Sequence, residues 1–153
     1  MRARYRALEH ERGQALVEFS VVLIPFLFLL MGIVDGGRAI FIYNGASQAA
    51  REIARVTSVY PCAPAPASCV LGNHAKTLAV VATQKGLIPG LAGPGATIAF
   101  QCTDMVDTSI SNTDCRSGDF VRVSVSIPFS VLTPVINMFA PSNLSSTTHI
   151  QLP

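Results

Sequence analysis

Residues 19–34 form the feature that most constrains the fold, a run of 16 consecutive uncharged and mostly apolar residues, FSVVLIPFLFLLMGIV. Glu18 and Asp35 bound this run, which we call the apolar segment. Residues 14–34 together number 21 and contain Glu18 as their only charge. As a helix rising about 1.5 Å per residue, they approach the ~30 Å thickness of a bilayer core. A secretory signal peptide and a buried core helix are the alternatives with a similar profile.

The net positive charge of the chain lies entirely before the apolar segment. Residues 1–12 contain four arginines and two glutamates, a balance of +2, and the other 141 residues contain seven basic and seven acidic side chains. A basic flank predicts that the N-terminus stays in the cytoplasm and that the rest is exported. A basic flank would serve no purpose next to a helix buried in a protein core, so it argues against the core-helix alternative. With only 13% charged residues, the composition excludes a disordered tail, a coiled coil and a basic nucleic-acid binder.

Helical periodicity continues beyond Asp35, so we predict one helix over residues 14–58. It is expected to span the membrane to about residue 35 and then to be amphipathic. Pro25, Gly36-Gly37 and Gly45 are its expected soft points. The apolar face of the second part comprises Ile42, Ala46, Ala49, Ala50, Ile53 and Ala54. We predict helix packing at Ala46 and Ala50, and also at Gly32 and Gly36, whose G-x-x-x-G spacing allows close approach of another helix.

The rest of the chain is expected to form a small exported domain. Residues 1–13 are predicted to be a cytoplasmic leader, 59–72 a proline-rich connector and 73–153 the α+β domain. Asn73 is a candidate cap for a second helix with Leu71, Ala75, Leu78, Ala79 and Ala82 on one face. Alternating apolar residues predict strands over 97–100 and 121–127, with a weaker strand over 147–152. The predicted fold class is therefore α+β: a long membrane-spanning helix, then a disulfide-bonded domain with a second helix and a short antiparallel sheet.

All four cysteines lie after residue 59, two in the connector and two in the predicted domain. Four cysteines allow three pairings, and proximity favours Cys62 with Cys69 and Cys102 with Cys115. The gaps do not suit a zinc site, which usually has closely spaced cysteines and histidine. We therefore predict two disulfides and an oxidising compartment.

The sequence lacks the common signatures of enzymes. Phosphate-binding loops, zinc-peptidase motifs, nucleophile elbows and dinucleotide-binding glycine motifs do not occur. Asp104, Asp107 and Asp114 crowd the loop between the last two cysteines, but without the regular ligand spacing of a calcium site. We predict no enzyme activity, no catalytic residue, no cofactor and no metal, and we read the acidic loop as a solvated loop.

The junction between leader and helix reads RGQALVEF from Arg12 to Phe19. A glycine followed five residues later by a carboxylate at the head of an apolar helix resembles the processing site of type IV prepilins. More specifically, the chain resembles the TadE-like pseudopilins of the tight-adherence (Tad/Flp) pilus system. Pro25 falls at that family's mid-helix proline. The family's A-A-R-E-x-A-R signature is matched by Ala49, Ala50, Arg51, Glu52, Ala54 and Arg55.

The resemblance implies a minor pilin-like subunit needed to assemble an adhesive pilus. Prepilin peptidase would cut between Gly13 and Gln14. From the residues themselves, we predict that Glu18 pairs with the new amino group of Gln14, within one chain or between staggered chains; the alternative is that Glu18 extends to the lipid headgroups. The implied partners are other pilin and pseudopilin subunits, prepilin peptidase, the inner-membrane pilus assembly machinery and the membrane, with no nucleic acid. The implied location is the bacterial inner membrane, with the C-terminal domain periplasmic or extracellular, or in a pilus. Two alternatives stay open: a membrane-anchored exported binding domain not processed as a pilin, and a periplasmic enzyme.

Overall fold

The computed structural model describes residues 2–62, 70–113, 115–133 and 141–153, with residues 2–12 described as backbone only. In these residues two helices precede four strands. The helices are α1 (Arg2–Val59) and α2 (Ala75–Leu87), and the strands are β1 (Thr97–Thr103), β2 (Ser109–Ile110), β3 (Phe120–Pro128) and β4 (Asn143–Gln151). The strands form one antiparallel sheet in the order β2-β1-β3-β4. The predicted α+β class is confirmed.

The chain divides into two compact units. One contains α1 up to Arg38 together with the segment that begins at Val131. The other contains the rest of α1 from Ala39, helix α2 and the four strands. The predicted division into leader, helix, connector and exported domain remains a prediction.

In the first unit, helix α1 carries the apolar segment on its surface. Within Gly13–Val59, the most apolar window has a mean hydropathy of 2.5, and none of that window is buried in the protein. Among the described residues, this is one helix long and apolar enough to cross a membrane. Its exposure argues against the core-helix alternative, because a core helix buries its apolar side chains. The helix continues across Pro25.

In the second unit, the C-terminal part of α1 and the sheet share one apolar core. β3 alternates fully buried and half-buried residues, as expected for a strand with one face on a core. From α1 the core contains Ala46, Ala49, Ala50, Ile53 and Ala54, and from β3 it contains Val121, Val123, Val125 and Ile127. Four of these five core residues of α1 are alanine, and small side chains let a helix backbone approach its neighbours closely.

Gly45 shows how tight this packing is. A Cβ placed there would lie 3.1 Å from Cγ2 of Ile88, the C-cap residue that follows α2. The glycine therefore makes room for the end of the second helix. The sequence predicted only a soft point at this residue.

Helix α2 begins differently from the prediction. Its cap is His74, whose Nδ1 accepts the Lys76 backbone N–H at 3.1 Å, and the predicted cap Asn73 precedes it. The buried side is also different: Thr77 is fully buried, Val80 and Val81 pack against the core, and Leu78 is 53% exposed. Of the predicted face, Leu71 precedes the helix and is buried, whereas Ala75, Leu78, Ala79 and Ala82 are exposed.

The disulfide between Cys102 and Cys115 forms as predicted. Cys102 is fully buried at the pairing with Val121 of β3, so the bond fixes the segment between β2 and β3, which contains Cys115, to the core. Cys62 is also disulfide-bonded. Its predicted partner Cys69 lies outside the described residues.

Candidate functional site

The predicted cleavage point lies inside a helix at a glycine that the fold does not require. Gly13 belongs to α1, and a Cβ placed on it would meet no atom within 4 Å. A glycine in a helix interior is less favourable than alanine by about 1 kcal/mol. Among the described residues, no packing contact offsets that cost, and the same is true of Gly36 and Gly37 in the same helix.

Gln14 and Glu18 are neighbours along the helix surface. The Gln14 side-chain amide donates a hydrogen bond to Glu18 Oε1 at 3.1 Å. This contact follows from the four-residue spacing, which places two side chains on the same side of a helix. In the uncleaved chain, Glu18 thus already has a polar neighbour at the residue that cleavage would turn into a new N-terminus.

The A-A-R-E-x-A-R signature separates into a buried and an exposed half. Ala49, Ala50 and Ala54 are fully buried in the core of the second unit. Arg51 donates to Ser47 Oγ at 2.8 Å, and Arg55 donates two hydrogen bonds to Glu52 at 3.0 and 3.3 Å. The Arg55 guanidinium lowers the pKa of the Glu52 carboxyl, and Glu52 in turn raises the pKa of Arg55. The signature therefore combines a helix–core contact with a solvated charged surface.

The structure does not join these residues into one site. Ala46 and Ala50 belong to the chain's own core. Of the two glycines with G-x-x-x-G spacing, Gly32 is half-buried and Gly36 is exposed, with no atom within 4 Å of its Cβ position. Gly36 therefore leaves open surface on the helix. The predicted roles of these four residues in contacts with another helix stay predictions.

Asp35 has a role that the sequence did not indicate. It ends the apolar segment, yet it is only 4% exposed. Its carboxylate accepts the backbone N–H groups of Leu132 and Thr133, and Arg38 Nη1 lies 3.4 Å from Oδ1. The sequence marked Asp35 only as a boundary, because its partners lie 97 and 98 residues away.

The acidic loop is organised by its own hydrogen bonds. Asp104 Oδ1 accepts the backbone N–H groups of Val106 and Thr108 at 2.9 and 2.8 Å, which closes a tight turn. Asp107 pairs with Arg122 of β3 and lies 3.7 Å from His149 of β4. Asp114 lies outside the described residues. In the described parts of the chain, no cluster of three or more histidine, cysteine or acidic side chains is placed to hold a metal ion.

Comparison with protein families adds the deciding observation. Residues 13–55 match the family model described as TadE-like protein. Residues 13–55 are similar to TadE-like proteins. The match begins at Gly13 and ends at Arg55, so it includes the junction, the apolar segment and the A-A-R-E-x-A-R signature.

The TadE-like match supports a pilin-like protein associated with the Tad pilus system. Together with the long apolar helix, it supports membrane anchoring. The TadE-like region covers the N-terminal part of a chain of 153 residues, and the sheet lies outside it. No curated protein and no solved structure shows significant similarity to the chain.

Proposed function

We propose that this protein is a minor pseudopilin, a structural subunit needed to assemble a Tad/Flp-type adhesive pilus. Prepilin peptidase removes residues 1–13 on the cytoplasmic side of the inner membrane. The mature chain, which then begins at Gln14, is held by its apolar helix and presents its C-terminal domain on the opposite side. Its role is structural rather than enzymatic.

The single observation that carries this proposal is the start of the TadE-like match at Gly13. Gly13 is also a residue at which a side chain would meet open space, inside a helix that glycine weakens. A requirement set by a processing enzyme accounts for a glycine that the fold does not need. The four arginines that precede it orient the leader toward the cytoplasm, where this enzyme acts.

The proposed partners follow from the surface of α1. The apolar segment is exposed along its length and meets lipid, or the helices of other pilin and pseudopilin subunits. Glu18 lies at the head of this surface and is proposed to pair with the new amino group of Gln14, within one chain or between staggered chains. The inner-membrane assembly machinery of the pilus is the remaining proposed partner.

The proposal is tested by the N-terminus of the mature protein. The full chain is co-expressed with a Tad-system prepilin peptidase, or with an inactive variant of that peptidase, and its intact mass is measured after purification from membranes. We expect loss of residues 1–13 with the active peptidase only. A chain that still begins at Met1 would instead favour a membrane-anchored exported binding domain, and a start after Val34 would indicate an ordinary signal peptide.

A further inference from the structure

The segment Val131–Thr133 lies beside the end of the apolar segment and adds a side chain to its exposed surface. Leu132 lines a shallow pocket of about 180 Å³ together with Leu30, Met31 and Val34. The four side chains are exposed by 59%, 42%, 40% and 55% in that order. We call this surface the Leu132 patch. It continues the apolar surface of the helix at the end remote from the leader.

Val131–Thr133 belongs to the connection between β3 and β4, residues 129–142. Antiparallel neighbours are usually joined by two to five residues, and longer connections commonly have a function. The sequence of this connection contains no charged residue. Residues 131–133 therefore carry no charge that would oppose an apolar environment.

Two backbone N–H groups of this segment, those of Leu132 and Thr133, are satisfied by Asp35. Leu132 N donates to Asp35 Oδ1 at 3.0 Å and to Oδ2 at 3.1 Å, and Thr133 N donates to Oδ2 at 2.9 Å. The Thr133 hydroxyl donates the fourth hydrogen bond to this carboxylate, to Oδ2 at 2.8 Å. Non-helical backbone is tolerated in a bilayer only where its polar groups have partners in the protein. Asp35 supplies such partners for these two N–H groups.

The contacts of Asp35 change which residue of α1 can lie at the edge of the bilayer core. The apolar segment alone, 16 residues from Phe19 to Val34, spans about 24 Å as a helix, and residues 14–34 reach the ~30 Å hydrocarbon core only by including Glu18. Because Asp35 is 4% exposed and fully engaged by donors, it does not require water. The first exposed charge is then Arg38, whose side chain is 42% exposed. Phe19–Gly37 spans about 28 Å, which matches the core, and Arg38 falls at the level of the phosphate groups.

We infer that the Leu132 patch is a lipid-binding surface: Val131–Thr133, held by Asp35, inserts into the leaflet remote from the leader and contacts phospholipid acyl chains near the headgroups. The inference rests on the proposed membrane anchoring of α1 and adds a second point of contact with the bilayer. Lipid is favoured over a protein partner because the patch is continuous with the surface proposed to face lipid, and because it completes the length of that surface.

The chain contains no tryptophan, so a single introduced tryptophan reports on its own surroundings. The test uses Leu132→Trp in the full chain, with Leu27→Trp as the probe of the spanning helix. Met105→Trp is the control for an apolar residue in water, because Met105 is 79% exposed in the loop after β1. Each variant is reconstituted at high dilution in phosphatidylcholine vesicles, either plain or brominated near the carboxyl end of the acyl chains. Emission maxima and quenching by the brominated lipid are compared.

We expect Leu132→Trp to emit at shorter wavelength than Met105→Trp and to lose fluorescence in the brominated vesicles. Adding Asp35→Asn to Leu132→Trp is expected to reduce this quenching, because an amide retains one acceptor oxygen and presents an NH₂ group to the backbone donors. Quenching unchanged by Asp35→Asn would overturn the role assigned to Asp35.

Three results overturn the lipid contact. If Leu132→Trp matches Met105→Trp while Leu27→Trp is quenched, the segment lies in water and only the helix is anchored. If Leu132→Trp is shifted to shorter wavelength but is not quenched, protein covers the patch. If Leu27→Trp is not quenched either, membrane anchoring itself fails, which separates failure of the proposed function from failure of this inference.

Discussion

Asp35 and Thr133 are joined by two hydrogen bonds although 98 residues separate them in the chain. The backbone N–H and the hydroxyl of Thr133 both donate to Asp35 Oδ2, at 2.9 and 2.8 Å. Thr133 is 1% exposed, so water does not compete for these bonds. The end of the apolar segment and the residues Leu132 and Thr133 are therefore fixed to each other by one carboxylate.

The first prediction concerns the hydroxyl of Thr133. Thr133→Val retains the shape of the side chain but removes one donor from a charged acceptor, and hydrogen bonds to charged groups are the stronger ones. We expect a lower midpoint of thermal unfolding in detergent. The matched control is Thr147→Val, because Thr147 hydrogen-bonds Ser124 on an exposed surface, and an exposed substitution changes stability by about 0.5 kcal/mol or less. Equal effects of the two variants would contradict the importance of the Asp35 contact.

The second prediction concerns processing. Gly13→Leu is expected to leave the helix intact, because no atom lies within 4 Å of the Cβ position, and to block removal of residues 1–13. Gly37→Leu is the matched control, since Gly37 is also in α1 with open space around its Cβ position. Intact mass distinguishes cleaved from uncleaved chain. Normal cleavage of Gly13→Leu would sink the proposed role of this glycine.

The third prediction concerns assembly. An ionised carboxylate in an apolar membrane helix costs on the order of 2.5–3.5 kcal/mol on insertion scales, less near the interface, so Glu18 is expected to have a functional partner. Glu18→Ala should leave cleavage largely intact but prevent stable association with other pilin-like subunits. Glu52→Ala removes a carboxylate from the exposed side of the same helix and should retain association. Co-purification at the wild-type level for Glu18→Ala would show that charge pairing is not the mechanism.

The fourth prediction concerns the disulfides. Non-reducing peptide mapping of the exported protein should find Cys102 linked to Cys115 and Cys62 linked to Cys69. Closing the loop between Cys102 and Cys115 is worth about 3 kcal/mol in the chain-entropy model. The double variant Cys102→Ser, Cys115→Ser should therefore unfold at clearly lower denaturant concentration than the wild type. Free thiols in the exported protein would contradict the assignment to an oxidising compartment.

The fifth prediction concerns the packing of α1. Ala50 is fully buried, so Ala50→Leu places extra methylene groups in a filled core and should destabilise the protein by about 1–3 kcal/mol. Gln48→Leu makes a similar change on the exposed side of the same helix and should stay within about 0.5 kcal/mol. Denaturant unfolding of both variants measures the difference. Similar stabilities would mean that the signature alanines are not selected for packing against the core.

The elements best predicted from the sequence are those with a strong local period. The predicted face of α1 is fully buried from Ala46 to Ala54, with Ile42 partly buried beside the core, and the alternation over 121–127 is found in β3. In α1 each helical turn, and in β3 each pair of residues, repeats the same apolar pattern. One residue that departs from the pattern therefore does not change the prediction.

Helix α2 shows where local patterns fail. Its alanines and Leu78 fit a helical face, but the core receives Thr77, Val80 and Val81 instead. Alanine is compatible with a buried or an exposed position, so the pattern had little power to choose a side. The Asp35 contact was missed for another reason: its donors are backbone N–H groups in a distant connection, and the sequence contains no signal for such a partner.

The glycine at residue 13 has one more consequence for the proposed cleavage of the Gly13–Gln14 bond. This bond lies inside α1, where backbone carbonyls are engaged in helical hydrogen bonds, and an enzyme that attacks the carbonyl needs the helix locally open. Relative to alanine, a glycine shifts the local equilibrium toward the open form by about 1 kcal/mol, roughly a fivefold gain in the population that can be cut. Gly13 would then determine how often the bond is accessible to the peptidase, as well as whether the chain fits the active site of that enzyme.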